Sequence, residues 1–92
     1  MEDTRVGRRT KLSAVHGGES ARVRQLAGGQ VFMSRLAPLG FFPGARLRVI
    51  QNLGRGPLLV AVCDTCVALG RGEADKILVE RLAGEDDGDG SA

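Results

Sequence analysis

The stretch Arg35-Leu36-Ala37-Pro38-Leu39-Gly40-Phe41-Phe42-Pro43-Gly44 is where the chain changes its periodicity. Upstream of Gly40, Phe32, Leu36 and Leu39 fall at i, i+4 and i+7, one face of a short helix beginning near Gln30. Pro38 disfavours helical geometry at Ala37, so the regular part is predicted to end around Leu36 or Ala37, with Leu36 and Leu39 anchoring it to the rest of the molecule. Gly40 can take the left-handed conformation that closes such a segment, and Pro43-Gly44 suits the two central positions of a type II turn. A strand must follow. Arg46-Leu47-Arg48-Val49 supplies it, with Leu47 and Val49 inward and two arginines outward.

Working outward, the same period of two appears on both sides. Ala21-Arg22-Val23-Arg24 reads as a half-buried strand ended by Gly28-Gly29, and Leu12 and Val15 form a short apolar edge before it. Downstream, residues 52–56 break the pattern and Pro57 cannot donate to a ladder, so residues 58–63 form the next strand, apolar on both faces. Asp64-Thr65 is the expected turn into residues 66–69. Residues 73–76 fit one helical turn, and Ile77 and Val79 lie in the last strand. Five short strands with turn signals at regular spacing predict a mainly β fold, a small SH3-like barrel with the helix inserted between the second and third strands. Closure of the barrel is expected to hide its edges.

Composition bounds what such a barrel can do. Ninety-two residues, 42% of them hydrophobic, make one small domain with a thin core and no room for a deep substrate cleft. Its aromatic residues are Phe32, Phe41 and Phe42, so the stacking platforms used for nucleobases and Pro-rich peptides are missing. Residues 1–83 hold 13 Lys and Arg against 7 acids, whereas residues 84–92 hold Glu85, Asp86, Asp87 and Asp89 and no base. The predicted organisation is a flexible basic arm at 1–10, the barrel at 11–83 and a disordered acidic tail at 84–92. That tail is expected to shield the barrel's arginines transiently. No apolar run approaches the ~20 residues of a membrane helix, so no direct membrane insertion is expected and the cytoplasm is the expected location.

Cys63-Asp64-Thr65-Cys66 has the most specific chemical look. If its two middle residues form the turn, both sulfurs lie on one side, where they could grip zinc or iron(II), exchange as a redox pair, or simply be two small residues at a strand tip. Two thiolates are half a tetrahedral site, and His16 is far away in sequence. The redox reading is weakened because no helix N-terminus follows to lower a thiol pKa. Gly54-Arg55-Gly56 and Gly70-Arg71-Gly72 lack the residues that complete a phosphate loop or a dinucleotide fingerprint. No catalytic set is visible, and the protein is expected not to be an enzyme. Arg22, Arg24, Arg46 and Arg48 project from strand faces, with Arg55 and Arg71 in loops, a pattern open to an ordinary solvated face, an acidic protein partner or, last, nucleic acid.

Gly28-Gly29, Arg35-Leu36-Ala37 with Leu39-Gly40-Phe41, Pro43-Gly44, Val49-Ile50, Gly56-Pro57 and Ala68-Leu69-Gly70-Arg71, in that order and spacing, resemble the FeoA family. These small cytoplasmic proteins of bacterial ferrous iron transport have an SH3-like fold that also ends DtxR-type repressors. Relatives usually carry a helix former where Pro38 stands, and no thiols at the Cys63 and Cys66 turn. The resemblance implies a non-enzymatic accessory that contacts the cytoplasmic GTP-binding domain of a FeoB-type transporter. On the residues themselves, Arg35, Phe41, Phe42, Arg46 and Arg48 are the candidate partner contacts. Adjacency of Phe41 and Phe42 predicts that one of them faces solvent as an anchor. No cofactor is required on this reading. The alternatives are a zinc or iron(II) module using Cys63 and Cys66, and a repressor-type regulatory domain. No nucleic-acid partner is expected, because no helix-turn-helix is visible.

Overall fold

The computed structural model describes residues 9–82. Six strands form one antiparallel sheet, β1 (Arg9–Lys11), β2 (Ser20–Leu26), β3 (Arg46–Gln51), β4 (Leu58–Val62), β5 (Thr65–Leu69) and β6 (Ile77–Arg81). Their spatial order is β1-β6-β2-β3-β4-β5. The fold is mainly β as expected, with one strand more than the five predicted. The addition is β1, whose Thr10 pairs with Val79 of β6. Arg9 and Thr10 therefore belong to the sheet rather than to an arm ending at residue 10, and the remainder of that arm and the acidic tail lie outside the described residues. Leu12, expected at an apolar edge, begins a 3-10 turn (Leu12–Ala14) and is fully buried with Val15.

Helix α1 (Gly29–Leu36) lies between the second and third strands, as the sequence predicts. Pro38 ends it on schedule, and a 3-10 turn (Ala37–Leu39) carries the chain to Gly40, whose φ of 108° closes the segment. A methyl placed on Gly40 would come within 3.0 Å of both Cys63 Sγ and Val62 Cγ2, so the position needs glycine for space as well as for φ. The turn that follows is formed as expected, since Ala45 N–H donates to Phe42 C=O at 2.9 Å and Gly44 has φ 96°. Phe32 and Leu36 are buried, but Leu39 is not an anchor. The change from α to 3-10 winding after Leu36 rotates Leu39 off the inward face.

The core is built from alternating positions of every long strand, with Val23, Leu47, Val49, Leu58, Val60, Val62, Leu69, Ile77 and Val79 in one buried cluster with Phe41. Its edges are not joined, because β1 and β5 stand at opposite ends of the hydrogen-bonded order. The β4–β5 hairpin is tighter than predicted. Val62 pairs with Thr65, so the two turn residues are Cys63 and Asp64, one position earlier than Asp64-Thr65. Cys63 adopts φ 49° there, because a two-residue hairpin matches the strand twist only with positive φ in its loop. A second helix, α2 (Arg71–Ala74), precedes β6, and Glu73 Oε1 accepts from Gly70 N–H at 3.1 Å at its start.

Candidate docking site

Phe41 and Phe42 divide their roles as the sequence predicts. Phe41 is fully buried, whereas Phe42 is 46% exposed at the start of the Pro43-Gly44 turn. Leu39 and, on α1, Val31 and Met33 are also exposed apolar side chains. Val31 and Arg35 are one turn apart on α1, and Leu39 is turned outward by the 3-10 extension that follows. This places apolar surface along the outer side of the inserted segment, ending in a ring at the turn. Arg35 is ion-paired with Glu73, which ties α1 to α2 through an exposed contact of little stability. Of the predicted contacts, Phe42 is therefore the one fitted to be an apolar anchor, and Phe41 is withdrawn into the core.

The arginines are more constrained than their exposure pattern in the sequence implies. Arg22 donates to Gly44 C=O at 2.9 Å, and Arg24 Nε donates to Glu80 at 2.7 Å. Arg71 belongs to α2 rather than to a loop, and its guanidinium reaches three acceptors, Asn52 Oδ1 at 2.6 Å, Ser13 C=O at 3.3 Å and Gly56 C=O at 3.3 Å. Arg46 and Arg48 remain exposed on β3, opposite Arg22 and Ser20 of β2. Asn52, which sequence reasoning passed over, donates to the carbonyls of both Ser13 and Val15 at 2.9 and 2.8 Å and accepts from Gly54 N–H. The signal available for it was an Asn two residues before a glycine in a loop, the pattern of an Asx turn.

Cys63 and Cys66 are both exposed free thiols, yet the hairpin does not aim them together. The buried residues Leu69 and Val62 and the core-packed Val67 mark one face of β4–β5. Cys66 alternates with them and faces the other side, opposite Ala61. Cys63 Sγ instead lies toward Gly40, on the side of Val62. The expectation that both sulfurs share one side rested on Asp64-Thr65 as the turn, and the shift by one residue moves them apart. Among the described residues no group of three or more His, Cys, Asp or Glu side chains is arranged to hold a metal ion.

Residues 10–81 match the FeoA domain model, most of the chain and nearly all of the sheet. The chain belongs to the FeoA family. A FeoA relative in Methanocaldococcus jannaschii, provisionally named Fe(2+) transport protein A, is 38% identical over 69 residues, covering 75% of this chain and 83% of its own. A second relative, from Porphyromonas gingivalis, is a fusion of Fe(2+) transport protein A with the Fe(2+) transporter FeoB. It is 34% identical over 74 residues, which are 79% of this chain but 9% of the fusion. Among solved structures, a FeoA described as an iron uptake regulatory protein superposes with a TM-score of 0.77 at 28% identity, covering 82% of this chain and all of the other. Stenotrophomonas maltophilia FeoA, described as a procaryotic SH3 domain protein and solved with zinc, has 33% identity and a TM-score of 0.64 over 77% of this chain and 89% of its own. A manganese-dependent transcriptional repressor shares the fold at 25% identity and a TM-score of 0.73, with 84% of this chain covering 44% of that protein. The SH3-like FeoA fold predicted from the sequence is thus the observed one. Among the described residues, no helix is long and apolar enough to cross a membrane.

Proposed function

We propose that this chain is a non-enzymatic, cytoplasmic accessory of ferrous iron transport that acts by docking on the GTP-binding domain of a FeoB-type transporter. The observation that carries the reading is the Porphyromonas gingivalis fusion, in which a FeoA part and the transporter are one polypeptide. A fusion holds the two parts at high effective concentration, which favours a contact between them. The docking face assigned here is the outer side of the inserted segment, with Phe42 as anchor and Val31, Leu39 and Arg35 around it. An exposed aromatic on a tight turn suits this role because little conformational entropy is lost when it is buried by a partner.

Titration of the chain into the isolated GTP-binding domain of the FeoB-type transporter from the same genome tests the reading. Binding is expected, and Phe42→Ala should weaken it by roughly tenfold or more, about 1.4 kcal/mol, with little change in the denaturation midpoint. Undiminished affinity of the variant would reject Phe42 as the contact, and absence of binding by the unaltered chain would reject the docking reading.

Zinc or iron(II) enters the proposal only as an ion shared between copies, since one hairpin turns its two thiols to different sides. On that basis Cys63→Ser/Cys66→Ser should lose bound metal and the accompanying increase in mass together. Equal metal content in wild type and double variant removes thiol-held metal from the account.

A further inference from the structure

The two edges of the sheet are guarded differently. β1 is three residues long and carries Arg9 and Lys11, whereas β5 runs Thr65-Cys66-Val67-Ala68-Leu69 with no charge and no proline. Its pairing with β4 is regular, from the Val62 and Thr65 pair to the Leu58 and Leu69 pair. Native sheets blunt a free edge with charge, proline, a bulge or a very short strand, and β5 has none of these. A two-residue hairpin closes on a hydrogen-bonded pair, here Val62 with Thr65, and such pairs then alternate with non-hydrogen-bonded ones. Cys66 and Ala68 are therefore the residues whose N–H and C=O groups point away from β4. Among the described residues these groups have no other hydrogen-bond partner, and both residues are exposed.

We propose that β5 pairs with β5 of a second copy of this chain, antiparallel about a two-fold axis at Val67. Such an axis makes the pairing self-complementary. It sets Cys66 opposite Ala68 of the second copy, and Ala68 opposite Cys66, so every outward N–H and C=O of both strands is satisfied. Moving the axis to Cys66 or Ala68 puts one of these residues opposite Asp64 or Gly70, which lie outside the strand. Side chains agree with this register. Val67 packs against the core on one face, while on the other Leu59, Ala61, Cys66 and Ala68 are uncharged, so no like charges oppose one another across the seam. Antiparallel pairing also lays each hairpin tip at the open end of the other copy, which brings exposed Asp64 to the end that carries Arg55 and Arg71. Pairing of β5 with β1 of another copy would instead repeat as an open chain and meets two bases on a three-residue strand. A single strand pair buries little area, so the dimer is a weak one. It uses main-chain groups, needs no metal and is separate from the docking face on α1.

Sedimentation equilibrium of the full chain, with reductant and a metal chelator present, tests the pairing between about 1 μM and about 1 mM protein. The mean mass is expected to rise toward two chains and no further. Ala68→Lys charges the bare edge and Ala68→Pro removes an outward N–H. Neither breaks a bond to β4, so each should weaken association by roughly tenfold or more with little change in the urea midpoint. A single thiol reads the register. In a Cys63→Ser/Cys66→Ser chain, Val67→Cys puts two sulfurs across the axis at a non-hydrogen-bonded pair, with Cα atoms about 4.5 Å apart, a span that a disulfide bridges. Mild oxidation should link that chain into a dimer, and link far less of the same chain bearing Thr65→Cys instead, because Thr65 lies opposite Leu69 in this register. Monomer mass at every concentration overturns the proposal, as do masses beyond two chains. Association that both Ala68 variants retain, or that Phe42→Ala abolishes, places the contact on another face and overturns it equally.

Discussion

Phe41→Ala is expected to remove about 3–5 kcal/mol of stability, enough to leave much of the protein unfolded at room temperature. Its ring is the largest of the fully buried side chains. It also sits where three constraints meet. Phe41 N–H donates to Leu36 C=O at 3.2 Å at the end of α1, Gly40 precedes it at φ 108°, and the Pro43-Gly44 turn follows it. Those contacts hold the backbone in place around the cavity, so the surroundings cannot collapse to fill it, and the large end of the range applies. Phe42→Ala, one residue on, should change the urea midpoint little, because its ring is 46% exposed. The pair thus separates a packing role from a binding role within one dipeptide. Equal losses of stability in the two variants would show that the division between them is wrong.

Much of this was legible in the sequence because it depends on local rules. Period-two alternation located β2, β3 and β6, and Pro38, Gly40 and Pro43-Gly44 punctuated the inserted helix correctly. The adjacency of two phenylalanines sufficed to predict one in and one out, since neighbours on a turn cannot both face one core. What failed depends on register or distant contacts. Leu39 matched the helical period but sits in a 3-10 turn, where the period is no longer 3.6. Nothing local distinguishes Cys63-Asp64 from Asp64-Thr65 as the hairpin loop, and one residue decides whether two thiols converge. The three-residue β1 was hidden because Arg9-Thr10-Lys11 has no apolar alternation, and its place in the sheet comes from pairing with β6. The arginines read as one free basic face because a sequence shows charges and not the carbonyls they reach.

Asn52→Ala is expected to cost about 2–3 kcal/mol, although the position is only half-buried and looks like an ordinary loop polar residue. The side chain joins three segments distant in sequence. Its amide donates to Ser13 and Val15 carbonyls, while its oxygen accepts from Gly54 N–H and from Arg71 at 2.6 Å. Truncation leaves the Val15 carbonyl and the Gly54 amide without these bonds and releases a guanidinium that also reaches Ser13 and Gly56. Asn52→Asp sharpens the test, since it keeps an acceptor for Arg71 but replaces both donations by a carboxylate facing two carbonyl oxygens. It should destabilise too, despite a stronger pair with Arg71. Because Asn52 and Arg71 share partners, Asn52→Ala and Arg71→Ala should be non-additive by about 0.5–3 kcal/mol, the double variant losing less than the sum. Urea denaturation of the four proteins in this cycle measures the coupling. Additive losses, or an Asn52→Ala variant within about 0.5 kcal/mol of wild type, would mean that water satisfies these groups and that the loop after β3 is held by the sheet alone.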